Sequence, residues 1–406
     1  MPRRRPFQLV PLPEDVVASP AALAECLSHL KTTSRLAFDT EFVGEDSYRP
    51  ELCLVQVATE ERLYLIDPFA CGPLEPFWEL LLDPARTVIA HAGREEVRMC
   101  HFGIGQPPSR LFDVQIAAAL TGLAYPIGYA GLVQGLLGAR AHKSETLTDW
   151  RRRPLTAAQM KYAYDDVRYL LPIHDRLTRE LGELQRNPWA EEEFTQFVKW
   201  ATADDPAIEK WRKLKGIGGL RPRELAIVRA VFAWRDQYAA RLNRPPRVLL
   251  RDELIVEIAR RPPSRAEDIH NLRGVPRSEA GAIAAAVRAA QSLTPEEHPP
   301  AAEREIDMPH VVQLAGFLNV VLADYCGRAK LAPNFVASSS DLKGLVRARQ
   351  TDGKLPDDSP FRSGWRAEHI RPYLESVLDG SLAVRVVDPT SAVPFGVRVL
   401  PPDEAK

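Results

Sequence analysis

The hydrophobic pattern of the first half of the chain changes its period along the sequence. Short runs rich in β-branched and aromatic residues come first, at residues 35–43, 52–58, 62–66 and 87–91. The first of these runs alternates apolar with polar positions, which is typical of a half-buried β-strand. Runs with helical spacing follow at residues 95–102, 114–121 and 156–181. Strands followed by helices in this way predict a mixed β-sheet flanked by helices.

Beyond about residue 206, the spacing is almost purely helical. Apolar positions recur at helical intervals in residues 224–234, 252–259, 313–324, 340–349 and 369–378. A polar, Pro-rich stretch at residues 293–300 is typical of a linker. We therefore predict an α/β domain over residues 1–190, a helical bundle over residues 205–293 and a second helical domain over residues 303–395.

The composition is that of an ordinary globular protein and excludes several classes of protein. Of the 406 residues, 45% are hydrophobic and 26% are charged, and no run reaches the ~20 apolar residues of a membrane-spanning helix. The basic N-terminus lacks the apolar segment of a secretory signal. The five cysteines are scattered without a CxxC pair, which argues against a disulfide framework or a zinc knuckle. We expect a cytoplasmic protein with no membrane partner and no obligate protein partner.

The net charge of −1 conceals an uneven distribution. Residues 1–200 carry 22 Lys and Arg against 27 Asp and Glu, whereas residues 205–291 carry 18 against 10. A basic segment in a near-neutral chain indicates nucleic-acid binding. An ordinary solvated helical surface explains the same excess, so the charge alone leaves both interpretations open.

Two carboxylates lie near the end of the first predicted strand, in the sequence Asp39-Thr40-Glu41. Residues i and i+2 of a strand point to the same face, so Asp39 and Glu41 project together. Neighbouring like charges repel unless a cation lies between them, and hard oxygen ligands suit Mg²⁺ or Mn²⁺. A solvent-exposed acidic face is the alternative, which the apolar neighbours Phe38 and Phe42 make less attractive.

A second candidate group is the sequence Tyr162-Ala-Tyr-Asp-Asp166 on the long predicted helix. Residues i and i+4 of a helix lie on one face, so Tyr162 and Asp166 can address a single point. A phenol can orient a metal-bound water or take its proton, while the carboxylate binds the metal. A helix-surface pair with the tyrosine packed into the core is the alternative.

A third candidate group lies in residues 89–97, whose sequence is Ile-Ala-His-Ala-Gly-Arg-Glu-Glu-Val. The pattern predicts a strand, a turn at Gly93 and a helix with acidic residues in its first turn. Acidic residues stabilise the N-terminus of any helix, so this pattern has a purely structural explanation as well.

In this order and spacing, the three motifs resemble the ribonuclease D family of DEDD 3′–5′ exonucleases. Asp39 and Glu41 match the first motif, residues 91–96 match the second, and Tyr162 with Asp166 matches the third, as in the DEDDy branch. Residues 211–235 resemble the HRDC domain of the family, and the third segment is similar in position and helicity to a second, more divergent HRDC-like domain. The resemblance implies a ribonuclease H-like α/β exonuclease domain followed by two all-α HRDC-type bundles.

The resemblance also implies a metal-dependent 3′–5′ exoribonuclease. Two divalent ions, Mg²⁺ or Mn²⁺, would be held by four carboxylates, with Tyr162 positioning the attacking water; the implied metal ligands are Asp39, Glu41, Glu96 and Asp166. The substrate would be the 3′ end of a structured RNA, such as a tRNA precursor, and the products nucleoside 5′-monophosphates. Lys143 and Arg152, in a basic stretch between the second and third motifs, are candidate phosphate contacts.

One residue departs from the family pattern. The second motif usually ends in aspartate, as HAG-x-E-D, and Glu96 stands at that position with one methylene more; Glu95 is the less favoured substitute. Because productive geometry tolerates only about 0.5 Å, this change bears on rate and metal preference. One alternative function is therefore an RNA-binding protein in which the glutamate has disabled the nuclease. A second alternative is a DNA exonuclease, since the carboxylates do not select the sugar.

Overall fold

The computed structural model describes residues 9–141, 148–203, 210–263, 265–270, 275, 277–301, 307–351 and 353–401. Lys143, one of the predicted phosphate contacts, lies outside these residues. Within the described ranges, no helix is both long and apolar enough to cross a membrane.

The first part of the chain folds around a six-stranded mixed sheet. Its strands are β1 (Glu14–Val17), β2 (Arg35–Val43), β3 (Glu51–Ala58), β4 (Leu63–Ile66), β5 (Thr87–Ala90) and β6 (Leu111–Asp113). In space their order is β1-β4-β3-β2-β5-β6, with β2, β3 and β4 antiparallel and the other pairs parallel. The predicted mixed sheet is confirmed. Strands β1 and β6 were not predicted, because β1 has the sequence Glu-Asp-Val-Val without an apolar run and β6 has only three residues.

Helices cover both faces of this sheet. They are α1 (Pro20–Leu30), α2 (Pro68–Cys71), α3 (Glu75–Leu80), α4 (Arg94–Ile104), α5 (Val114–Ala119), α6 (Tyr129–Leu137), α7 (Ala157–Arg168), α8 (Leu170–Glu183) and α9 (Asn187–Thr202). Along β2, Ala37 belongs to the core beneath α7 and α8, whereas Leu36 and Phe38 belong to the core beneath α1 and α4. This alternation follows from the two-residue period of the strand.

The single helix predicted over residues 156–181 is two helices, which meet at Tyr169. Pro172 has no N–H to donate to the carbonyl of Arg168, so the hydrogen-bond ladder is interrupted at that point. The N–H of Tyr169 donates to the Tyr129 hydroxyl at 3.3 Å, where a continuous helix would pair it with the carbonyl of Asp165. Pro172 was visible in the sequence, but the contact between Tyr169 and Tyr129 was not.

The middle segment is a helical bundle with an apolar core of its own. Its helices are α10 (Pro222–Leu242), α11 (Pro246–Leu249), α12 (Asp252–Arg260), α13 (Ala266–His270) and α14 (Ala280–Gln291), with 3₁₀ turns at Trp211–Lys213, Arg277–Glu279 and Pro295–Glu297. Trp211, Val231 and Ile283 are fully buried in this core, which contains no residue of the sheet domain.

The third segment contains helices and ends in a β-hairpin. It comprises α15 (Pro309–Ala329), α16 (Pro333–Val336), α17 (Ser339–Gln350), a π-helical turn (Arg366–Ile370), α18 (Arg371–Leu378), β7 (Leu382–Val386) and β8 (Phe395–Val399). The predicted helices are present, but the segment is not purely helical, because β7 and β8 pair as antiparallel strands. The alternating valines of both strands indicated β-structure in the sequence.

The third segment packs directly on the sheet domain, and its buried residues join the core around α8. Arg186 donates to the carbonyl oxygens of Leu120 and Lys330, both at 2.6 Å. The rings of Trp189 and Trp365 stack with centroids 4.6 Å apart and planes 11° apart. The first and third segments are therefore held together by a shared core and by buried polar contacts.

Candidate active site

The end of strand β2 leaves two carboxylates at an opening in the sheet. Strand β5 pairs with β2 only as far as Ala37, so Asp39 and Glu41 extend beyond it. The pairing of β2 with β3 is irregular immediately after Glu41. Such bulges are over-represented beside active sites, where they re-aim side chains. Asp39 and Glu41 are both half-buried and share one face of the strand, as predicted.

The turn after β5 fixes the start of helix α4. Ala92 has a φ of 52°, in the left-handed region that costs roughly 1–2 kcal/mol for a non-glycine residue. A Cβ on Gly93 would lie 2.6 Å from the Cβ of Ala90, so only glycine fits there. The N–H of Gly93 donates to Asp113 Oδ2 at 2.8 Å. This close-packed turn brings the first turn of α4 against β2.

Glu96 is the residue of this turn that reaches the two carboxylates. Its side chain is buried, and its Oε1 accepts a hydrogen bond of 2.7 Å from the Thr40 hydroxyl. It also shares a hydrogen bond with Asp39. Glu95 instead pairs with Arg98, with 3.3 Å between Oε1 and Nη1. Of the two adjacent glutamates, the structure therefore brings Glu96 to the site.

Helix α7 supplies the fourth carboxylate and the phenol. Thr156 begins this helix with a reciprocal capping box to Gln159, which fixes its start. The helix packs against β2, β3 and β4. The hydroxyl of Tyr162 hydrogen-bonds the carboxylate of Asp166 one turn later, and the ring of Tyr162 lies 6.0 Å from that of Trp150. The pair predicted from the i, i+4 spacing thus meets at the site.

The carboxylates are electrostatically unfavourable to one another. Burial raises the pKa of Asp39 to about 8, and the charges of Asp166 and Glu41 add to the shift. Burial, Asp166 and Glu96 raise the pKa of Glu41 to about 8. The pKa of Asp166 is raised to about 7, mainly by burial, and that of Glu96 lies well above its usual range because of burial and Asp39. The group therefore holds protons near neutral pH unless a cation replaces them.

Gln56 adds an unusual polar group beside these carboxylates. It is the direct cross-strand partner of Asp39, so its side chain lies on the same face of the sheet. The amide is fully buried, and neither its nitrogen nor its oxygen has a hydrogen-bond partner in the described part of the chain. A buried amide without a partner is rare in folded proteins, and a cation bound beside Asp39 would give its oxygen a partner.

The donor set fits hard divalent cations. In the described ranges, no three acidic, histidine or cysteine side chains have the spacing of a ready-made metal cage. The fit rests instead on chemistry: carboxylate oxygens are the ligands that Mg²⁺ and Mn²⁺ prefer, and their mutual repulsion is what a cation would relieve. The unpartnered amide of Gln56 offers a further oxygen beside Asp39.

Of the two predicted phosphate contacts, only Arg152 lies within the described residues, and it is at the protein surface. Arg152 is 84% exposed, and its Nε lies 3.8 Å from Asp149 Oδ2. Arg153 is held by Asp67 and by the carbonyl oxygen of Cys53 at 2.7 Å, so its role is structural. A role for Arg152 in substrate binding stays a prediction, and Lys143 lies outside the described residues.

Three further residues lie around the site and were not predicted from the sequence. Thr40 lies between Asp39 and Glu41 and so projects to the opposite face of β2, yet its hydroxyl holds Glu96. Gln56 is the single polar residue of the apolar run at residues 52–58, which was a visible signal. Tyr129 is half-buried near Asp39 and Asp166, and its hydroxyl donates to the carbonyl oxygen of Asp165 at 2.8 Å. No local pattern distinguished Tyr129 from an ordinary core tyrosine.

Two family models match the chain. A model described as 3′–5′ exonuclease covers residues 15–182, which include all four carboxylates and Tyr162. A model of the HRDC domain covers residues 224–287, in the middle segment. The identity of the third segment as a second HRDC bundle stays a prediction.

Full-length relatives extend this likeness along most of the chain. Ribonuclease D of Acidiphilium cryptum is 34% identical over 363 residues, covering 88% of this chain and 91% of the relative. Ribonuclease D of Jannaschia sp. is 34% identical over 385 residues, covering 92% and 97%. The crystal structure of Escherichia coli RNase D, described as an exoribonuclease involved in structured RNA processing, superposes with a TM-score of 0.78. That match has 28% identity and covers 90% of this chain and 99% of the other.

These likenesses agree with the motifs and with the geometry of the carboxylates. They do not favour the two alternatives, an inactive RNA-binding protein and a DNA exonuclease. The chain therefore belongs to the ribonuclease D family of 3′–5′ exoribonucleases.

Proposed function

We propose that this exoribonuclease shortens structured RNA, such as tRNA precursors, from the 3′ end with two divalent cations as cofactors. The observation that carries the proposal is the cluster of mutually repelling carboxylates beside Tyr162. Asp39, Glu41, Glu96 and Asp166 would hold the cations. Bound there, the cations would acidify the attacking water and neutralise charge that develops on the phosphate.

The side chains of the chain have separate roles in this reaction. Tyr162 would orient the attacking water through its hydroxyl, because the hydrogen bond to Asp166 and the ring of Trp150 define its position. Thr40 would hold the longer Glu96 side chain in place. The water oxygen adds to phosphorus and the P–O3′ bond breaks. The products are a nucleoside 5′-monophosphate and an RNA with a new 3′-hydroxyl, ready for the next cycle.

A cytoplasmic location is part of the same proposal. All five cysteines are free and buried, which suits a reducing compartment.

Removing one carboxylate should abolish hydrolysis without unfolding the protein. For Asp39→Asn and Asp166→Asn, we expect release of nucleoside 5′-monophosphate from a 3′-labelled RNA in Mn²⁺ to fall by at least roughly 10²–10³-fold. Asp175→Asn is the matched control, since Asp175 is an exposed carboxylate on α8 that pairs with Arg35 of β2. Near wild-type rates for either site variant would contradict the assignment.

The same charge repulsion should appear as a pH-dependent stability. Because the folded-state pKa of Asp39 is raised to about 8, folding favours its protonated form. The stability it contributes is complete below its ordinary pKa near 4 and is lost as the pH rises through about 8. In chelator, the melting temperature of Asp39→Asn should therefore rise above that of the wild type with increasing pH, by roughly 2–4 °C per kcal/mol of repulsion removed.

Saturating Mn²⁺ should cancel that advantage, because the cations stabilise only the intact carboxylate group. The measurement is thermal unfolding of both proteins between pH 4 and 8.5, with and without Mn²⁺. An advantage of Asp39→Asn that is constant across this range would show that charge repulsion is not its cause.

The two adjacent glutamates should behave differently. Glu96→Gln removes a charge from the site and should lower kcat on a short oligonucleotide by roughly 10²-fold. Glu95→Gln removes only an ion pair with Arg98 and should stay within about twofold of the wild type. Glu96→Asp keeps the charge and should retain more activity than Glu96→Gln. The opposite ranking of Glu95→Gln and Glu96→Gln would transfer the fourth carboxylate to Glu95.

A further inference from the structure

A second concave site lies between the sheet domain and the middle helical bundle. The cleft has a volume of about 780 Å³. One wall consists of the β2–β3 connection around Arg49 and of helix α4, and the other consists of residues of the middle segment from Lys210 to Asp252. The walls touch where the hydroxyl of Tyr48 donates to Asp236 Oδ2 at 2.8 Å.

The cleft has a strong excess of positive charge. Seven lysines and arginines line it against two aspartates, and they come from both walls. Both aspartates already have partners: Asp236 accepts from Tyr48, and Asp252 pairs with Arg235 at 2.7 Å and with Arg247 at 2.9 Å. Because the lining holds more cationic than anionic side chains, it keeps a net positive charge that attracts an anion.

Two arginine donors at the cleft have no acceptor among the described residues. In the described part of the chain, Nε of Arg94 and Nε of Arg235 are buried without a hydrogen-bond acceptor. The guanidinium of Arg94 lies 4.3 Å from the ring centroid of Trp200, whose side chain is half exposed. Arg94, which is only partly buried, therefore keeps hydrogen-bonding capacity for an acceptor-rich ligand, whereas Arg235 is held within the protein by Leu250 and Asp252.

An aromatic ring lies among these cations. Phe102 is 39% exposed, and the guanidinium groups of Arg49 and Arg98 lie 5.6 Å and 5.3 Å from its centroid. Arg98 also pairs with Glu95 at 3.3 Å. A basic groove interleaved with exposed aromatic rings is typical of proteins that bind single-stranded nucleic acid, since phosphates contact the cations and bases stack on the rings.

The cleft is separate from the carboxylates but adjoins them. Arg94 and Arg98 each lie two residues from Glu96 on α4, which places them about 200° around the helix from it. Glu96 faces β2, so the two arginines face away from the carboxylates. The β2–β3 connection begins just beyond Glu41 and forms part of the cleft wall.

We infer that this cleft is a second RNA-binding site, which holds backbone phosphates of an unpaired substrate segment upstream of the nucleotide being removed. The inference rests on the proposed function, because it takes the occupant to be the substrate RNA. A short substrate would fill only the catalytic site. A long substrate would fill both sites and would bind more tightly.

The test removes one exposed cation from each wall, with Arg49→Ala and Lys213→Ala combined. The control combines Arg179→Ala on α8 with Arg288→Ala on α14, which are exposed arginines outside the cleft lining. Binding is measured in the Asp39→Asn background with RNA of roughly 20 nucleotides, longer than the ~4–16 nucleotides that one module usually covers. Turnover of a dinucleotide is measured with Asp39 intact. Circular dichroism checks that both pairs fold as the wild type does.

For the cleft pair, we expect the Kd for the long RNA to rise about tenfold. The slope of log K against the logarithm of salt concentration should decrease in magnitude by about 1.4, because two phosphate contacts are lost and each contributes ~0.7 for a single strand. Dinucleotide turnover should stay within about twofold. Affinity and slope equal to those of the control pair would overturn the inference. A comparable loss of dinucleotide turnover would also overturn it, since the cations would then belong to the catalytic site.

A third arm uses inorganic phosphate as the ligand. If the cleft pair loses phosphate binding while its affinity for long RNA is unchanged, the cleft is a site for a small anion and the inference is wrong. The binding arms do not depend on catalysis. Failure of the wild type to release monophosphates from any RNA would therefore contradict the proposed function, and the binding comparison would still decide the role of the cleft.

Discussion

The main physical constraint on this structure is the repulsion among the carboxylates at the end of β2, which the fold holds close together. Asp39 and Glu41 extend past the last residue of β2 that pairs with β5, and helices α4 and α7 bring Glu96 and Asp166 to the same place. Burial makes this arrangement expensive, because the pKa of Asp39 and that of Glu41 rise to about 8. A group that is unfavourable without a cation is one that binds cations well when they are supplied.

The rest of the domain can be understood as support for this group. The turn at Gly93 tolerates no side chain and carries a strained φ at Ala92, yet it fixes the first turn of α4. Thr40 holds the additional methylene of Glu96 in place by a hydrogen bond of 2.7 Å. The third segment packs on α8 and α9 through Arg186, so the helices behind the site are anchored from outside. Local strain near the carboxylates is thereby balanced by packing elsewhere.

The elements with a clear period could be predicted from the sequence. The two-residue period of β2 gave the shared face of Asp39 and Glu41, and the i, i+4 spacing gave Tyr162 with Asp166. What the sequence did not reveal depends on tertiary register: Gln56 faces Asp39 only because β3 pairs with β2 in one particular register. The packing of the third segment on the first, and the cleft between the first and the second, likewise depend on distant contacts that no local pattern encodes.

The most direct test is the anomalous scattering of a crystal soaked in Mn²⁺. We expect two Mn²⁺ peaks, both within coordination distance of the group formed by Asp39, Glu41, Glu96 and Asp166, with the Glu96 carboxylate directed toward them. A map without Mn²⁺ at these carboxylates, or one with Glu96 turned away from the ions, would contradict this expectation.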